Sequence, residues 1–239
     1  MATTPQGETE TIGQILYSLR VPIFLAIGLV VLIVLIALWI VYSRKREKEQ
    51  IKATVQRYGM TPLHEESQIE KVSEAVADLF SDMSMYVREL RILSAYAAEM
   101  RGYSVRMAHA VLGLDRGNST YTLDKVVVLV SGFDRDLPTF ELMPSGRDLR
   151  LFIKNSIFRP GTPFGKANMV SGKDEDRIRE AFNERVREQL ADNRRVVMVS
   201  RGSLLAFYPH GSSVVPPDLA AFLEESVDLT DMLTTATEQ

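Results

Sequence analysis

The pattern of polar and apolar positions is dominated by one unbroken apolar run near the start of the chain. Residues 21–42, VPIFLAIGLVVLIVLIALWIVY, number 22 and include no charged side chain, with Pro22 and Gly28 as the only interruptions. A helix rises about 1.5 Å per residue, so this run would be roughly 33 Å long, enough to cross the hydrocarbon core of a bilayer. Lipid offers no hydrogen-bond partners to an open backbone, which makes a helix the expected form. The pattern therefore predicts one transmembrane helix over residues 21–42.

Two other interpretations of the apolar run fit the sequence less well. A buried helix of a soluble protein rarely extends this far without a polar face. A cleaved signal peptide has a basic start, a shorter apolar core and a cleavage site rich in small residues. Residues 1–20 instead carry Glu8 and Glu10 against the single Arg20, and a basic segment follows the run. We therefore predict an uncleaved signal anchor that follows a short polar tail, residues 1–20.

The distribution of basic residues predicts the orientation of the helix. Residues 1–20 hold one Lys or Arg, whereas residues 43–62 hold six. Because Lys and Arg are retained on the cytoplasmic side, the C-terminal domain is predicted to be cytoplasmic. Each positive charge close to anionic head groups contributes about 1 kcal/mol to membrane binding. The predicted membrane-surface contacts are therefore the first basic residues after the run, Arg44, Lys45, Arg46 and Lys48. The alternative is that this cluster serves only as a stop-transfer signal.

Helical periodicity continues for some distance beyond the apolar run. The basic segment 43–62 is predicted to extend the same helix as far as Gly59, and Pro62 supplies the stop. Segment 64–80 is predicted to be a second helix, because its apolar side chains recur on one face: Ile69, Val72, Val76, Leu79 and Phe80.

The period then changes to two, which is typical of strands. Two pairs of strands flank the turns Arg101-Gly102 and Arg201-Gly202, and each pair is predicted to form a hairpin. The unbroken apolar run Val126–Val130 predicts a strand that is buried on both faces. The predicted strands are 91–100, 103–112, 122–131, 139–144, 168–172, 195–200 and 203–209.

The remaining segments complete an α+β pattern. Residues 145–158 are predicted to be a short helix, and residues 159–168 an irregular Pro/Gly loop. Residues 173–192 are predicted to be one helix that begins with a capping box at Ser171-x-x-Asp174, and residues 218–233 a last helix. Short turns between neighbouring strands require antiparallel pairing. The predicted class is one α+β domain over residues 63–239, with helices packed on one side of an antiparallel sheet.

Composition excludes several classes of function for this domain. Residues 63–239 carry 21 Lys and Arg against 27 Asp and Glu, and this acidic balance argues against a general nucleic-acid-binding role. The chain has no cysteine, so it has no disulfide framework, no Cys-ligated metal and no thiol nucleophile. A segment of 177 residues is the size of one ordinary domain.

Motifs that could carry chemistry are weak. Gly161 and Gly165 are separated by three residues where a phosphate-binding loop needs four, and Ala167 stands where that loop needs Ser or Thr. None of the three histidines, His64, His109 and His210, has a second ligand at a metal-binding spacing. The sequence therefore predicts neither a metal nor a cofactor.

Several charged residues admit two interpretations. Asp134 and Asp136 could form a carboxylate pair for acid–base work, although a turn before Leu-Pro explains them as well. The run Asp174–Asp176 could bind a cation, and it also complements the dipole at the start of a helix. Arg101 and Arg201 could flank one end of the sheet and bind an anion, or they could be exposed hairpin residues.

The order of several short segments resembles a group of bacterial proteins. Within residues 54–233 these segments are RYGM, LRILSAYAAEMRGYSVRMAHAVL, KVVVLVSGFDRDLPTFELMP, VSGKDEDRIREAF, VVMVSRGSLLAFYP and PPDLAAFLEESVDL. Members of the group carry one or two N-terminal membrane spans and a soluble α+β domain of unknown function. The resemblance implies a bacterial membrane-anchored protein and implies no activity. One departure follows the first Arg-Gly turn, where relatives tend to be acidic and aromatic and this chain has Met107, Ala108 and His109.

These patterns lead to a main functional hypothesis and two others. The main one is a non-enzymatic interaction or scaffold domain that is held in the lipid bilayer by residues 21–42 and binds a protein partner. The second is a small-molecule-binding module or an enzyme with its site near the Arg159–Asn168 loop. The third is that the basic cluster after the span senses anionic lipid.

Overall fold

The computed structural model describes most of the chain. It covers the backbone of residues 7–81, 86–116, 119–145, 156–159, 161–191, 196–211 and 214–235, and their side chains except at 7–26, 80–81, 86–87, 114–116 and 119–121. By internal contacts the chain divides into two compact units, residues 1–49 and 50–239. The predicted juxtamembrane segment 43–62 lies on both sides of this division.

Helix α1 is a single helix that runs from Gly7 to Arg57. Its stretch from Ile27 has a mean hydropathy of 2.4 and is long and apolar enough to cross a membrane, as judged by length and composition, and none of the window that passes this test is buried. The helix ends close to Gly59, whose φ of 59° lies in the left-handed region that favours glycine. The predicted helical continuation beyond the apolar run is therefore confirmed.

The C-terminal unit is built on one eight-stranded sheet in the order β1-β2-β3-β4-β8-β7-β5-β6. All the strand pairs described are antiparallel, which confirms the predicted α+β class. The strands are β1 Thr61–Pro62, β2 Tyr86–Met100, β3 Tyr103–Arg116, β4 Ser119–Ser131, β5 Leu137–Pro144, β6 Asn168–Gly172, β7 Val196–Gly202 and β8 Leu204–Pro209.

The helices of this unit lie on both faces of the sheet, so the prediction that they pack on one side is wrong. The sequence pattern already contained the reason: all five residues of Val126–Val130 are buried, and a strand buried on both faces needs a layer above and a layer below. The helices are α2 Glu66–Ser81, α3 Pro163–Ala167, α4 Glu175–Ala181, α5 Glu184–Ala191 and α6 Leu219–Thr235.

Each face has its own apolar core. On the face that we call the aromatic face, helices α3 to α6 and the end of α1 pack against the sheet around Phe140, Phe182 and Phe207. On the other face, which we call the α2 face, Val72, Val76 and Leu79 of α2 pack against the sheet over a different set of residues: Ala95, Ala108, Ala110, Leu112, Val127, Leu129, Val197, Val199, Ala206 and Tyr208. Phe80, which was predicted to share the apolar face of α2, lies outside the described side chains.

Two predictions about residues 171–192 need correction. The predicted single helix 173–192 is two helices, because the chain breaks after Ala181 and Asn183 starts α5 by accepting a 3.0 Å hydrogen bond from the Val186 amide. Ser171 lies in strand β6 and is not a helix cap. Asp174 alone caps α4, by accepting a 3.2 Å hydrogen bond from the Arg177 amide.

The segment before β6 also differs from the prediction. The predicted irregular loop 159–168 contains the short helix α3, which Thr162 starts by accepting a 3.0 Å hydrogen bond from the Gly165 amide. The helix predicted over residues 145–158 lies mostly outside the described residues, and its described end, 156–158, is not helical.

Candidate functional site

The predicted membrane-surface residues all lie on α1 within the N-terminal unit. Arg44, Lys45, Arg46 and Lys48 are exposed, and Lys45 is 3.9 Å from Glu49 one turn later. Nothing in the fold tests their contact with lipid, so this role stays a prediction.

The three histidines lie apart. His64 and His210 are exposed, whereas the imidazole Nε2 of His109 on β3 is 2.6 Å from a carboxylate oxygen of Asp124 on β4. Although His210 is exposed overall, desolvation of its imidazole and the charge of Lys125 lower the pKa of His210. Among the residues that the structure describes, no three His, Asp or Glu side chains come together as metal ligands.

The two turn arginines lie at the same end of the sheet and point to opposite faces. Arg101 binds Asp228 and, at 3.3 Å, Asp231, both on α6 of the aromatic face. Arg201 is 3.2 Å from Asp78 on α2. The two guanidinium groups therefore do not form a joint anion site, because each binds carboxylates of a different helix.

The other charged candidates have structural partners. The Arg177 guanidinium donates a 2.6 Å hydrogen bond to the carbonyl oxygen of Asp136. Arg135, between Asp134 and Asp136, is 3.1 Å from Glu180 on α4. Asp136 and Arg135 therefore connect this turn to helix α4, and Asp174 caps that helix.

The Arg159–Asn168 loop, which was the predicted location of a ligand site, is held by aromatic packing. The Phe164 ring is buried, with its centroid 5.0 Å from that of Phe158 and 5.8 Å from that of Phe182. Gly165 packs so closely that a Cβ there would lie 2.0 Å from the carbonyl oxygen of Arg159. The described part of this loop therefore fills core space and leaves little room for a ligand.

A cavity of about 250 Å³ lies elsewhere, between the end of α2 and strands β5, β6 and β7. Its floor belongs to the α2 face, because the side chains of Glu141, Val199 and Arg201 follow the same alternation as the α2-face core. Its walls are Leu79, Thr139, Phe140, Glu141, Ser171, Gly172, Lys173, Val199 and Arg201.

Glu141 is the unusual residue of this cavity. Its carboxyl oxygen Oε1 is shut away from solvent and has no hydrogen-bond partner among the described residues. Burial disfavours the charged carboxylate and raises the pKa of Glu141 to about 7. The buried Tyr208 interacts electrostatically with this carboxyl. Burial and the negative charge of Glu141 raise the pKa of Tyr208 well above its ordinary value.

Glu141 is not among the site residues predicted from the sequence, although a signal was present. Glu141 alternates with Phe140 and Leu142, which places it on the opposite face of β5. That face was taken to be solvent because the helices were predicted on one side only. The amphipathic pattern of segment 64–80, together with the Val126–Val130 run, could have predicted the second layer that buries it.

Fold and site together define an α+β domain that follows an apolar helix of membrane-span length and contains a ligand-sized cavity on its α2 face. No protein-family model and no curated protein matches this chain. A solved structure similar to it is that of the mycobacterial trehalose monomycolate transport factor A, TtfA, with a TM-score of 0.48 and 12% sequence identity over 80% of this chain and 93% of that one. The resemblance to a bacterial family, drawn from the sequence motifs, therefore stays a prediction.

Proposed function

We propose that this protein is a membrane-anchored accessory protein that acts through binding and not through catalysis. Helix α1 is its single membrane span, and residues 50–239 form a cytoplasmic domain that binds a protein partner. The observation that carries the proposal is the surface of α1. Its large apolar side chains from Ile27 to Tyr42 are 41–69% exposed, and an apolar surface of this length is stable in lipid and costly in water.

The start of the domain supports the anchoring role. Residues from Gln50 onward belong to the domain, and Ile51 and Met60 are buried in its aromatic-face core. Gln50 donates a 2.6 Å hydrogen bond to the carbonyl oxygen of Pro217, and Arg57 is 3.1 Å from Glu224 on α6. The last turns of the helix that contains the span are therefore part of the folded domain.

The distribution of charges supports binding over catalysis. The described ion pairs on both faces, Arg101 with α6, Arg135 with α4 and Arg201 with α2, connect turns and a strand end to helices. These charges stabilise the fold. In a catalytic site they would instead point at a bound substrate. Acid–base catalysis needs positioned groups that converge on one reacting atom.

Anchoring is tested by alkaline extraction of membranes that contain the full chain. We expect the wild type to stay in the membrane pellet. Replacing Ile33→Arg and Leu35→Arg should release it, because each arginine near the centre of a span costs about 2.5–3.5 kcal/mol on insertion scales. The matched control, Ile33→Leu with Leu35→Ile, should stay in the pellet. A wild type that is extracted as readily as the arginine variant would exclude the anchor.

Orientation is tested with one engineered thiol, since the natural chain has no cysteine. Ser203 is exposed in the turn between β7 and β8, so Ser203→Cys reports on the domain. We expect a membrane-impermeant thiol reagent to label this variant only after cells are permeabilised. Labelling of intact cells would place the domain outside and contradict the orientation predicted from the basic residues.

Partner binding is tested by photo-crosslinking in cells. A benzophenone amino acid is introduced at one of three exposed positions, Glu70 on α2, Leu93 on β2 or Glu188 on α5. We expect at least one position to yield a discrete protein adduct that is lost in the released Ile33→Arg/Leu35→Arg variant. Recovery of lipid alone, or of no adduct from any position, would count against an interaction domain.

A further inference from the structure

The cavity on the α2 face has the construction of a binding site. It measures about 250 Å³, whereas one water molecule occupies about 30 Å³ of liquid. Its lining combines the apolar side chains of Leu79 and Val199 with the polar side chains of Ser171 and Thr139. A mostly apolar wall with a few polar groups is typical of small-molecule sites.

Glu141 brings a carboxyl to the wall of this cavity, and one of its two oxygens, Oε1, is buried with no hydrogen-bond partner among the described residues. A buried polar atom without a partner costs about 1–3 kcal/mol, so native proteins leave few of them. Its neighbours across the ladder, Ser171 on β6 and Val199 on β7, lie at the cavity wall. Oε1 is closed to solvent, so a ligand in the cavity would meet the Glu141 carboxyl through its other oxygen, Oε2.

The remaining charges decide which kind of ligand fits. The cavity is lined by two cationic side chains, the exposed Lys173 and the half-buried Arg201, against the single carboxyl of Glu141. Asp78 on α2 offsets part of the charge of Arg201 at 3.2 Å. With Glu141 protonated, the wall is positive overall, and a cationic ligand would be repelled by it.

We propose that this cavity binds a small organic anion, a monocarboxylate with an apolar body, whose carboxylate accepts a hydrogen bond from protonated Glu141 and faces Lys173 and Arg201. An acid–carboxylate hydrogen bond is short and strong because one partner is charged. The apolar body would lie against Leu79 and Val199. This inference is independent of the anchor and of the protein partner.

Proton uptake is the signature of this arrangement. At pH 7 about half of the Glu141 carboxyls carry a proton, given a pKa of about 7, and the bound anion requires all of them to carry one. Binding should therefore take up about half a proton at pH 7 and weaken roughly tenfold per pH unit above it. The other titratable groups that line the cavity are Lys173 and Arg201; Asp78 lies behind them, 3.2 Å from Arg201, and the buried Tyr208 interacts with the charge of Glu141.

The experiment uses three probes that share a ring and differ in charge: benzoate, benzylammonium and benzyl alcohol. The full chain in lipid nanodiscs carries ¹³C-labelled glutamate, and the Glu141 carboxyl resonance is assigned by its loss in Glu141→Gln. We expect benzoate to shift this resonance toward the protonated position, with a Kd of about 1 mM or tighter, as a ligand of this size allows. Calorimetry in two buffers of different ionisation enthalpy counts the proton on the wild type alone, so the test survives if Glu141→Gln folds poorly.

Two variants sharpen the test. Lys173→Gln should weaken benzoate binding roughly three- to tenfold, because it removes a nearby positive charge. Lys166→Gln is the matched control, since Lys166 is an exposed lysine on α3 that does not line the cavity, and it should have no effect. In Glu141→Gln the amide donates the hydrogen bond, so benzoate should still bind, with no proton uptake and no pH dependence between pH 6 and 8.

The opposing results are equally definite. Binding of benzylammonium without benzoate would make the cavity a cation site and overturn the proposal. The absence of a Glu141 shift with all three probes would exclude a ligand site there. Benzoate binding without proton uptake in the wild type would exclude Glu141 as the group that receives the anion. None of these outcomes affects the anchoring and crosslinking tests.

Discussion

The two faces of the sheet are packed in different ways. On the aromatic face, the rings of Phe140 and Phe182 meet edge to face at 4.8 Å, and Phe158 and Phe164 complete the cluster. On the α2 face, one helix covers a surface built largely from alanine and valine, among them Ala108, Ala110 and Ala206, and the buried polar groups of Glu141 and Tyr208.

This difference separates two tasks. Interlocking rings fill space closely, and the core of the aromatic face contains more buried side chains than the core of the α2 face. The α2 face leaves a cavity at the point where a carboxyl replaces an apolar side chain. We therefore interpret the aromatic face as the stabilising layer and the α2 face as the layer in which function can be placed.

The largest expected effect is on the aromatic face. Phe182→Ala removes a fully buried ring that contacts three others, and it should lower the free energy of unfolding by about 3–5 kcal/mol. Leu79→Ala on the α2 face should cost less, about 2–3 kcal/mol, because Leu79 already borders a cavity. Denaturant unfolding of the full chain measures both, with Leu93→Ala at an exposed position as the control. If Phe182→Ala and Leu79→Ala lower the free energy of unfolding equally, the aromatic face is not the more stabilising of the two faces.

The next effect is a pH dependence that belongs to the α2 face. The pKa of Glu141 is raised from 4.5 to about 7 in the folded state, so the folded protein binds this proton more tightly than the unfolded chain. The contribution of this proton to the free energy of unfolding is fully present below pH 4.5 and is lost as the pH rises through 7. The total loss is on the order of 3 kcal/mol. The Glu141→Gln variant should lack this pH-dependent loss of stability, because glutamine does not titrate.

The measurement is the difference in Tm between Glu141→Gln and the wild type from pH 5 to pH 8. We expect this difference to grow with pH, and groups common to both proteins, such as His210, cancel in it. A difference that stays constant would mean that the Glu141 carboxyl is not buried in solution.

Local features of the fold were predictable from the sequence. The two Arg-Gly hairpins followed from turn chemistry, since Gly102 and Gly202 adopt the left-handed φ values that such turns need, 84° and 57°. Strand β6 was predicted with its observed bounds, Asn168–Gly172, between the Pro/Gly loop and the helical segment that follows it. Pairings between distant strands, such as β4 with β8, depend on contacts that no local pattern encodes.

The cavity was beyond local prediction for a physical reason. A glutamate that alternates with Phe140 and Leu142 has the same local pattern whether its face meets water or another helix. Only the placement of α2, far earlier in the chain, buries Glu141. The split of segment 173–192 was missed because the helical period continues across Asn183, and its capping hydrogen bond to Val186 became apparent only in three dimensions.

A smaller effect tests how the end of α1 joins the aromatic face. The Tyr58 hydroxyl donates a hydrogen bond to Glu224 and lies 3.3 Å from the carbonyl oxygen of Ala220. Burial and the Glu224 contact raise the pKa of Tyr58 to about 12. Tyr58→Phe should lower the free energy of unfolding by about 1–1.5 kcal/mol. Tyr103→Phe, which removes a 2.6 Å hydrogen bond to Asp231 on the same helix, is the matched comparison. If the Tyr58→Phe variant is as stable as the wild type, the hydrogen bond of Tyr58 does not stabilise the packing of residues 50–58 against α6.

The smallest expected effect on stability comes from removing one ion pair on each face, and these two variants should differ in ligand binding. Asp78–Arg201 on the α2 face and Glu180–Arg135 on the aromatic face are ion pairs of similar length, 3.2 and 3.1 Å, and in each the carboxylate is largely exposed. Asp78→Asn and Glu180→Gln should each cost about 0.5 kcal/mol, and the cost should fall at 1 M salt.

The same two variants should differ at the cavity. Asp78→Asn removes the negative charge that offsets Arg201 and should tighten benzoate binding roughly twofold, because the wall becomes more positive. Glu180→Gln, on the opposite face, should leave binding unchanged. If both variants change benzoate affinity equally, the effect comes from the net charge of the domain. That result would contradict a separate binding site on the α2 face. If only Asp78→Asn changes it, the small stability cost and the binding gain together locate the anion beside Arg201.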